Sequence, residues 1–174
     1  MKTIDMSEYL YELPNLLKDK NNTIIVTNKE TCVLVGNNDC DLEFCQSNKL
    51  PIYETHQGGT IVNFKGDVCV GNYQDAFNDY GEQFMIKYAN WLKTKGLNAS
   101  FVGNDVVVDD NLKVGSYMST FINGCLYTAI HLSFGMDLYL IRSICKKKME
   151  KTPTGISEFG ITEEELLLFV ENNC

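Results

Sequence analysis

The chain of 174 residues contains one arginine, Arg142, against fourteen lysines, and its formal net charge is −8. So acidic a surface repels the phosphates of duplex nucleic acid, and a nucleic-acid partner is not expected. Histidine is nearly as scarce, with only His56 and His131, and the seven cysteines form no C-x-x-C pair. A clustered set of thiolates and imidazoles, which a zinc site requires, is therefore not expected. Long apolar runs are missing too: nothing nears the roughly 20 residues that span a bilayer, so no membrane association is expected. The segment Met1–Asp5 has no apolar run or small-residue cleavage site of a secretory signal. Cysteines odd in number and set in apolar segments suit free thiols in a reducing compartment, so a cytoplasmic location is expected. Only three prolines occur, and no Pro-, Gly- or Ser-rich linker or repeat divides the chain. One domain over residues 1–174 is expected.

What is present is the composition of a globular core, with 44% apolar and 22% charged residues. Asp5 to about Lys20 reads as a helix with Asp5 and Glu8 as its capping pair and Pro14 as a kink. Thr23–Thr27 and Thr31–Gly36 are β-branched runs around Asn28-Lys29-Glu30, a hairpin signal. Asn38 or Asp39 can cap a short helix through Ser47, with Cys40 and Phe44 on one face. Pro51–Glu54, Thr60–Phe64 and Asp67–Val70 read as strands, the last two joined around Lys65-Gly66. Asp79–Lys95 carries Phe84, Met85, Tyr88, Ala89, Trp91 and Leu92 at helical spacing, an aromatic stripe that reads as core, and Gly96 stops it. Ala99–Val102, Val106–Asp109, Leu112–Met118 and Cys125–Leu132 read as strands, with a tight turn at Asp109-Asp110-Asn111, and a helix follows over Met136–Met149. The cluster Lys146-Lys147-Lys148 with Lys151 reads as a favourable helix C-terminus or as a local anion patch. A last helix begins at Thr162, with a Thr162/Glu165 capping box and an Ile161/Leu166 staple. Hairpins interrupted by helices give an α+β class: one mixed, mostly antiparallel sheet with packed helices.

Two segments carry chemistry. In Glu54–Gly66, the pair Gly58-Gly59 between strands lets the backbone approach a ligand, with N–H groups able to face a phosphate. In Gly103–Ser116, Lys113 lies in an apolar strand, and strict alternation puts Lys113, Gly115 and Tyr117 on one face and Leu112, Val114 and Ser116 on the other. A lysine beside a glycine can reach over open backbone to an anion; a solvent-facing hairpin lysine has the same spacing.

Taken together and in this order, the segments resemble the lipoate–protein ligase A family of the biotin/lipoate ligase fold. Its Arg-Arg-x-Ser-Gly-Gly-Gly-x-Val-x-His-Asp-x-Gly loop is matched by Thr55-His56-Gln57-Gly58-Gly59-Thr60-Ile61-Val62-Asn63-Phe64-Lys65-Gly66. Its Asn-Asp-(apolar)₃ element and following Lys-x-Gly-Ser are matched by Asn104-Asp105-Val106-Val107-Val108 and Lys113-Val114-Gly115-Ser116. Val33–Asn38, Gly96–Ala99, Asn123-Gly124 and Thr154–Leu166 extend the similarity collinearly.

The resemblance implies an acyl-protein ligase or transferase. Lipoate or octanoate would be joined with ATP to an acyl adenylate, then passed to a lysine of a lipoyl-carrier domain, such as a glycine cleavage H protein or a dehydrogenase E2 domain. Lys113 would be catalytic, its charge stabilising charge that develops in both half-reactions. Gln57, Gly58, Gly59, Thr60, Asn63, Asn104, Asp105, Gly115, Ser116 and Asn123 would bind acyl group and nucleotide, and Asp105 would help hold Mg²⁺. The sequence departs from the pattern where the loop arginines would stand, and Gln57, Asn63-Phe64 and Asn123 replace Gly, His-Asp and His. Those departures leave a second function open, a catalytically inactive ligase fold serving as a binding or regulatory module. A transferase without ATP would need a thiol nucleophile, for which Cys125 is the residue to test, against its reading as a buried strand cysteine.

Overall fold

The computed structural model describes residues 2–9, 18, 22–36, 39–54, 59–74, 79–122, 124–146 and 149–174. Its strands are β1 (Lys2–Asp5), β2 (Asn22–Thr27), β3 (Cys32–Val35), β4 (Ile52–Glu54), β5 (Ile61–Asn63), β6 (Val68–Gln74), β7 (Ala99–Val102), β8 (Asp105–Val108), β9 (Leu112–Ile122), β10 (Cys125–Leu132) and β11 (Thr152–Pro153). Its helices are α1 (Leu42–Ser47), α2 (Tyr80–Thr94), α3 (Leu138–Ile144) and α4 (Glu163–Asn173).

The strands form two sheets rather than the one expected. The larger runs β1-β2-β6-β10-β9-β8-β7, with β11 added to β9; the smaller runs β4-β3-β5. Pairing is mostly antiparallel, with parallel contacts at β1/β2, β3/β4 and β9/β11. The expected hairpin at Asn28-Lys29-Glu30 is instead a corner between sheets, since β2 pairs with β6 while β3 pairs with β5. Lys65-Gly66 likewise turns the chain from the small sheet into the large one. Gly66 has φ +89°, and a Cβ there would lie 2.4 Å from the Phe134 ring, so no other residue fits that turn without displacement. The physical reason lies in burial: Asn28 is buried with its backbone N–H and its Nδ2 both donating to the Asp67 carbonyl, at 3.1 Å each. That contact joins the two corners instead of closing either as a hairpin.

Three apolar layers hold the elements. Alternate residues of β2 divide between them, Ile25 to one side and Ile24 and Val26 to the other. On one face of the large sheet, Phe84, Tyr88 and Leu92 of α2 pack with Leu166 and Phe169 of α4 against Val106, Val108, Val114, Ile130 and Leu132. The aromatic stripe is core, as expected; Trp91 and Phe169 stack at 4.9 Å. On the other face the small sheet covers only part of the large one, through Ile24, Val26, Cys32, Leu34 and Tyr53. Outside the small sheet, Val33, Val62 and Phe64 bury against Ile141 and Ile144 of α3.

Several local expectations stand. Thr162 and Glu165 form the reciprocal capping box, with Ile161 and Leu166 buried beside it. Gly96 terminates α2 with φ +84°, and Asp109 and Asp110 take positive φ in the β8–β9 turn. Others shift. Residues 2–5 are a strand on the edge of the large sheet, and residues 6–9 are helical, with Asp5 accepting from the Ser7 N–H and Glu8 from the Asp5 N–H; Pro14 lies outside the described residues. The cap of α1 is Asp41, not Asn38 or Asp39, its carboxylate accepting from the Phe44 N–H at 2.9 Å. α3 ends at Ile144 rather than Met149, because Cys145 leaves the helix to bridge Cys40. Lys146 directly follows the Cys145 cap, and its N–H donates to the Asp39 carbonyl.

Candidate functional site

The face of the large sheet that meets the small one carries a row of polar side chains, which begins under the small sheet at Cys69. Register aligns Cys69 of β6 with His131 of β10, His131 with Ser116 of β9, and Ser116 with Asp105 of β8. Directly paired residues share a face, and three strand spacings make this row roughly 15 Å long. All four are partly exposed, while Val68, Val70, Ile130, Leu132 and Val106 beside them are buried on the helix side. Two members of the row are held by protein groups: Cys69 Sγ donates to Asn63 Oδ1 at 3.3 Å, and His131 Nε2 lies 3.0 Å from Asp67 Oδ2.

Lys113 joins this row through an irregularity. Val106 pairs with Gly115 but Val107 pairs with Lys113, leaving Val114 as the extra residue of a β-bulge. The bulge breaks the strict alternation that would set Lys113 and Gly115 on one face. Val114 turns into the helix-side core, and a Cβ on Gly115 would stand 3.2 Å from Tyr88 and 3.1 Å from Leu132. Gly115 is thus needed for packing under α2, while Lys113 and Ser116 lie on the opposite face of the sheet with Asp105. Lys113 Nζ lies 2.9 Å from Asp105 Oδ1, and Lys151 Nζ lies 2.6 Å from Asp105 Oδ2.

Burial raises the Asp105 pKa, but the hydrogen bonds and charges of Lys151 and Lys113 outweigh it and hold the carboxyl below its ordinary 3.8. Holding Mg²⁺, the role drawn from the resemblance, would require Asp105 to give up an ammonium partner. Both Asp105 oxygens are occupied by ammonium groups, and among the described residues no three acidic, His or Cys side chains gather to hold a metal ion. A lowered pKa contributes stability above the unfolded value and loses it as pH falls through the folded value. We expect Asp105 to titrate below 3.8, and Lys151→Met to move its midpoint upward. Carboxyl-carbon NMR across the acid range measures this; a midpoint indifferent to Lys151 would show that the ion pair does not form in solution.

The glycine loop approaches from the small sheet, just before β5. A Cβ on Gly59 would lie 3.2 Å from Asp39 Oδ2, and Thr60 donates to Asp39 Oδ1 from its N–H at 3.1 Å and its hydroxyl at 2.6 Å. Asp39 thus anchors the loop, a role its sequence position does not disclose. Asn63, at the end of β5, is fully buried; its Oδ1 accepts from Cys69 Sγ at 3.3 Å, and its Nδ2 has no partner among the described residues. Gln57, Gly58 and Asn123 lie outside the described residues. Asn104 is not in the row: it lines a separate depression of about 300 Å³ with Asp79, Glu82 and Tyr117.

Thiol chemistry has little support here. Burial pushes the Cys32 and Cys40 thiols up to about 12 and Cys145 up to about 11, and raises Cys69 as well. Cys125 is buried beside Tyr73 and Tyr127, which matches the strand-cysteine reading. No helix among the described residues is long and apolar enough to cross a membrane.

The fold is shared with proteins of known structure. LipL1 of P. falciparum, solved in complex with lipoate, superposes with a TM-score of 0.79 at 15% identity over 99% of this chain, which spans 58% of that protein's length. A bipartite lipoate protein ligase of Thermoplasma acidophilum, solved in a study of the ligase and its E2 lipoyl domain, gives 0.78 at 14% identity, covering 99% of this chain and 81% of that one. A lipoate-protein ligase A bound with ATP gives 0.78 at 13% identity, with the same coverage of 99% and 81%. Comparison with curated protein sequences gives no match. The family model for the lipoyl protein ligase A/B catalytic domain matches residues 2–167, nearly the whole chain, and the chain belongs to that family.

Proposed function

We propose that the protein is an acyl-protein ligase that activates lipoate or octanoate with ATP and transfers the acyl group to a lysine of a lipoyl-carrier domain. The observation that carries this reading is the pairing of Lys113 with Asp105 at the end of the polar row, whose other end, Cys69, packs against the small sheet. Lipoate bound to LipL1, ATP bound to a ligase A and the E2 lipoyl domain of the archaeal system are ligands and a partner of proteins of this fold.

In the first half-reaction an oxygen of the acyl carboxylate attacks the α-phosphorus of ATP, and pyrophosphate leaves. In the second, the carrier lysine's neutral amine attacks the acyl carbonyl, AMP leaves, and the amine loses its proton. Both steps collect negative charge near one point. Lys113, held by Asp105 rather than free to swing, offers a fixed positive charge there. Asn63 Nδ2, buried and without a partner among the described residues, is a donor suited to an acyl or phosphate oxygen.

The test is incubation of the protein with ATP, Mg²⁺, lipoate or octanoate, and a lipoyl-carrier domain, followed by mass spectrometry of the carrier and measurement of released pyrophosphate. A carrier mass increase that requires ATP is expected. No modified carrier, no released pyrophosphate and no ATP binding would transfer the assignment to a non-catalytic module of the same fold.

A further inference from the structure

The family's loop pattern has two arginines, and this chain has none there. Its one arginine is in α3, within the stretch Arg142–Lys151 that holds five cations and one carboxylate, Glu150, in a chain whose net charge is −8. Charge of one sign concentrated in ten residues of an acidic protein calls for a location, and the fold supplies one.

After α3, the chain is pinned at Cys145 to Cys40 and by the Lys146 N–H to the Asp39 carbonyl at 2.9 Å. It returns as β11, parallel to Leu112 and Lys113, with the Thr154 N–H donating to the Lys113 carbonyl at 2.8 Å. Between the helix and the returning strand lies a cavity of about 320 Å³, lined by Arg142, Cys145, Met149, Glu150, Lys151 and the Thr152-Pro153 strand among others. Its position relative to the candidate site follows from two contacts. Lys151 reaches Asp105 at 2.6 Å, and Asp105 reaches Lys113 at 2.9 Å, so one carboxylate bridges a lysine of the cavity wall to the lysine of the sheet. On the other side, Asp39 holds both Lys146 and the Gly59-Thr60 loop. Lys146 thus touches the glycine-loop side of the site and Lys151 the sheet side.

Resting on the ligase reading above, we propose that this cavity receives phosphate groups of the nucleotide, with Arg142 and Lys151 supplying the cations that the glycine loop lacks. The chemistry of the lining favours phosphate. Arg142 is exposed and makes no ion pair among the described residues, so its guanidinium fork is available for two parallel hydrogen bonds to phosphate oxygens. Lys151 is a point charge already oriented by Asp105. Three cations, Lys113, Lys151 and Arg142, face two carboxylates, Asp105 and Glu150, leaving an excess of positive charge that a multiply charged anion neutralises. A concave site of this volume suits a small polyanion better than a protein surface. In the free protein Asp105 keeps both lysines in place, so little side-chain ordering remains to be done on binding.

The experiment is calorimetric titration of the whole protein with inorganic pyrophosphate, ATP and AMP, for wild type, Arg142→Gln, Lys151→Met, Lys151→Arg and the Arg142→Gln/Lys151→Met double variant, with melting temperatures measured alongside. Wild type is expected to bind pyrophosphate and ATP. Arg142→Gln and Lys151→Met should each weaken both by about tenfold, AMP should change less, and Lys151→Arg should restore most of the loss. Unaltered ATP and pyrophosphate affinity in a folded double variant would overturn the proposal, as would failure of wild type to bind pyrophosphate. If the variants raise the carrier KM but leave ATP affinity intact, the basic segment docks an acidic carrier and the phosphate site is wrong. The two readings separate cleanly. Acyl transfer that survives both substitutions removes this site and keeps the ligase, whereas pyrophosphate binding through Arg142 without acyl transfer keeps the site and removes the ligase.

Discussion

Lys113→Ala is expected to lower acyl transfer by about 10²–10³-fold, the range typical for loss of one preorganised group that meets developing charge. Lys113 is about one-third exposed, and its main-chain pairing with Val107 and with β11 does not depend on the side chain. Melting should therefore change little. The substitution also leaves Asp105 with Lys151 alone, so a negative charge stays near the anion path and deepens the kinetic loss without unfolding the chain. Lys113→Arg should lose most of the activity as well. The planar guanidinium would satisfy Asp105 through both oxygens and displace Lys151, instead of presenting a compact charge to the cleft. The assay is the carrier mass shift in single turnover, beside thermal melts. Full activity in the alanine variant would remove Lys113 from the mechanism; a loss matched by a large drop in melting temperature would assign it to the fold.

That prediction rests on a residue that the sequence singled out and whose surroundings it did not disclose. The order of the glycine loop, the Asn-Asp element and Lys113 pointed to one site, because motif order survives divergence. The face of Lys113 could not be read, since alternation assumes an unbroken ladder and nothing in Leu112–Ser116 announces the bulge at Val114. Lys151 entered the sequence reading only as a member of a basic cluster; its pairing with Asp105 spans 46 positions and depends on the parallel addition of β11. Asp39 was legible as a helix cap and instead anchors Gly59 and Thr60. Elements whose signals are local fared better. The Thr162 capping box, the stop at Gly96 and the aromatic stripe of α2 are each written within a few residues and each formed as read.

The two corners show the limit of local signals most clearly. Turn residues at Asn28-Lys29-Glu30 and Lys65-Gly66 mark a reversal of the chain, but whether the strands on either side pair depends on what lies beneath. Here Asp67 lies beneath both. Its backbone takes the Asn28 contacts, and its fully buried carboxylate accepts from the Phe64 N–H at 2.8 Å, the Phe134 N–H at 2.7 Å and the Gly135 N–H at 3.3 Å. Three chain segments, those that follow β2, β5 and β10, therefore meet on one residue, the first on its backbone and the other two on its side chain.

Asp67→Ala is expected to destabilise the fold by about 3–5 kcal/mol, the range for removing one partner of a buried ionic hydrogen-bonded group. The backbone N–H groups of Phe64, Phe134 and Gly135 would lose their acceptor in a place water does not reach freely, at about 1–3 kcal/mol for each one left unpaired. His131, whose Nε2 lies 3.0 Å from Asp67 Oδ2, would lose its anchor in the polar row. For a chain of this size each kcal/mol corresponds to about 2–4 °C in Tm, so a fall of at least about 6 °C is expected. Asp67→Asn should be milder but still damaging. An amide has one acceptor oxygen, and its NH₂ would face either the Phe64 N–H or the Phe134 and Gly135 N–H pair, donor against donor. Urea denaturation of the three proteins gives the free energies, and proton exchange at the Phe64, Phe134 and Gly135 amides locates the loss. A Tm within 2 °C of wild type for Asp67→Ala, or protection of those three amides unchanged in it, would show that the two sheets are joined by apolar packing alone and that the carboxylate is not what binds the corners.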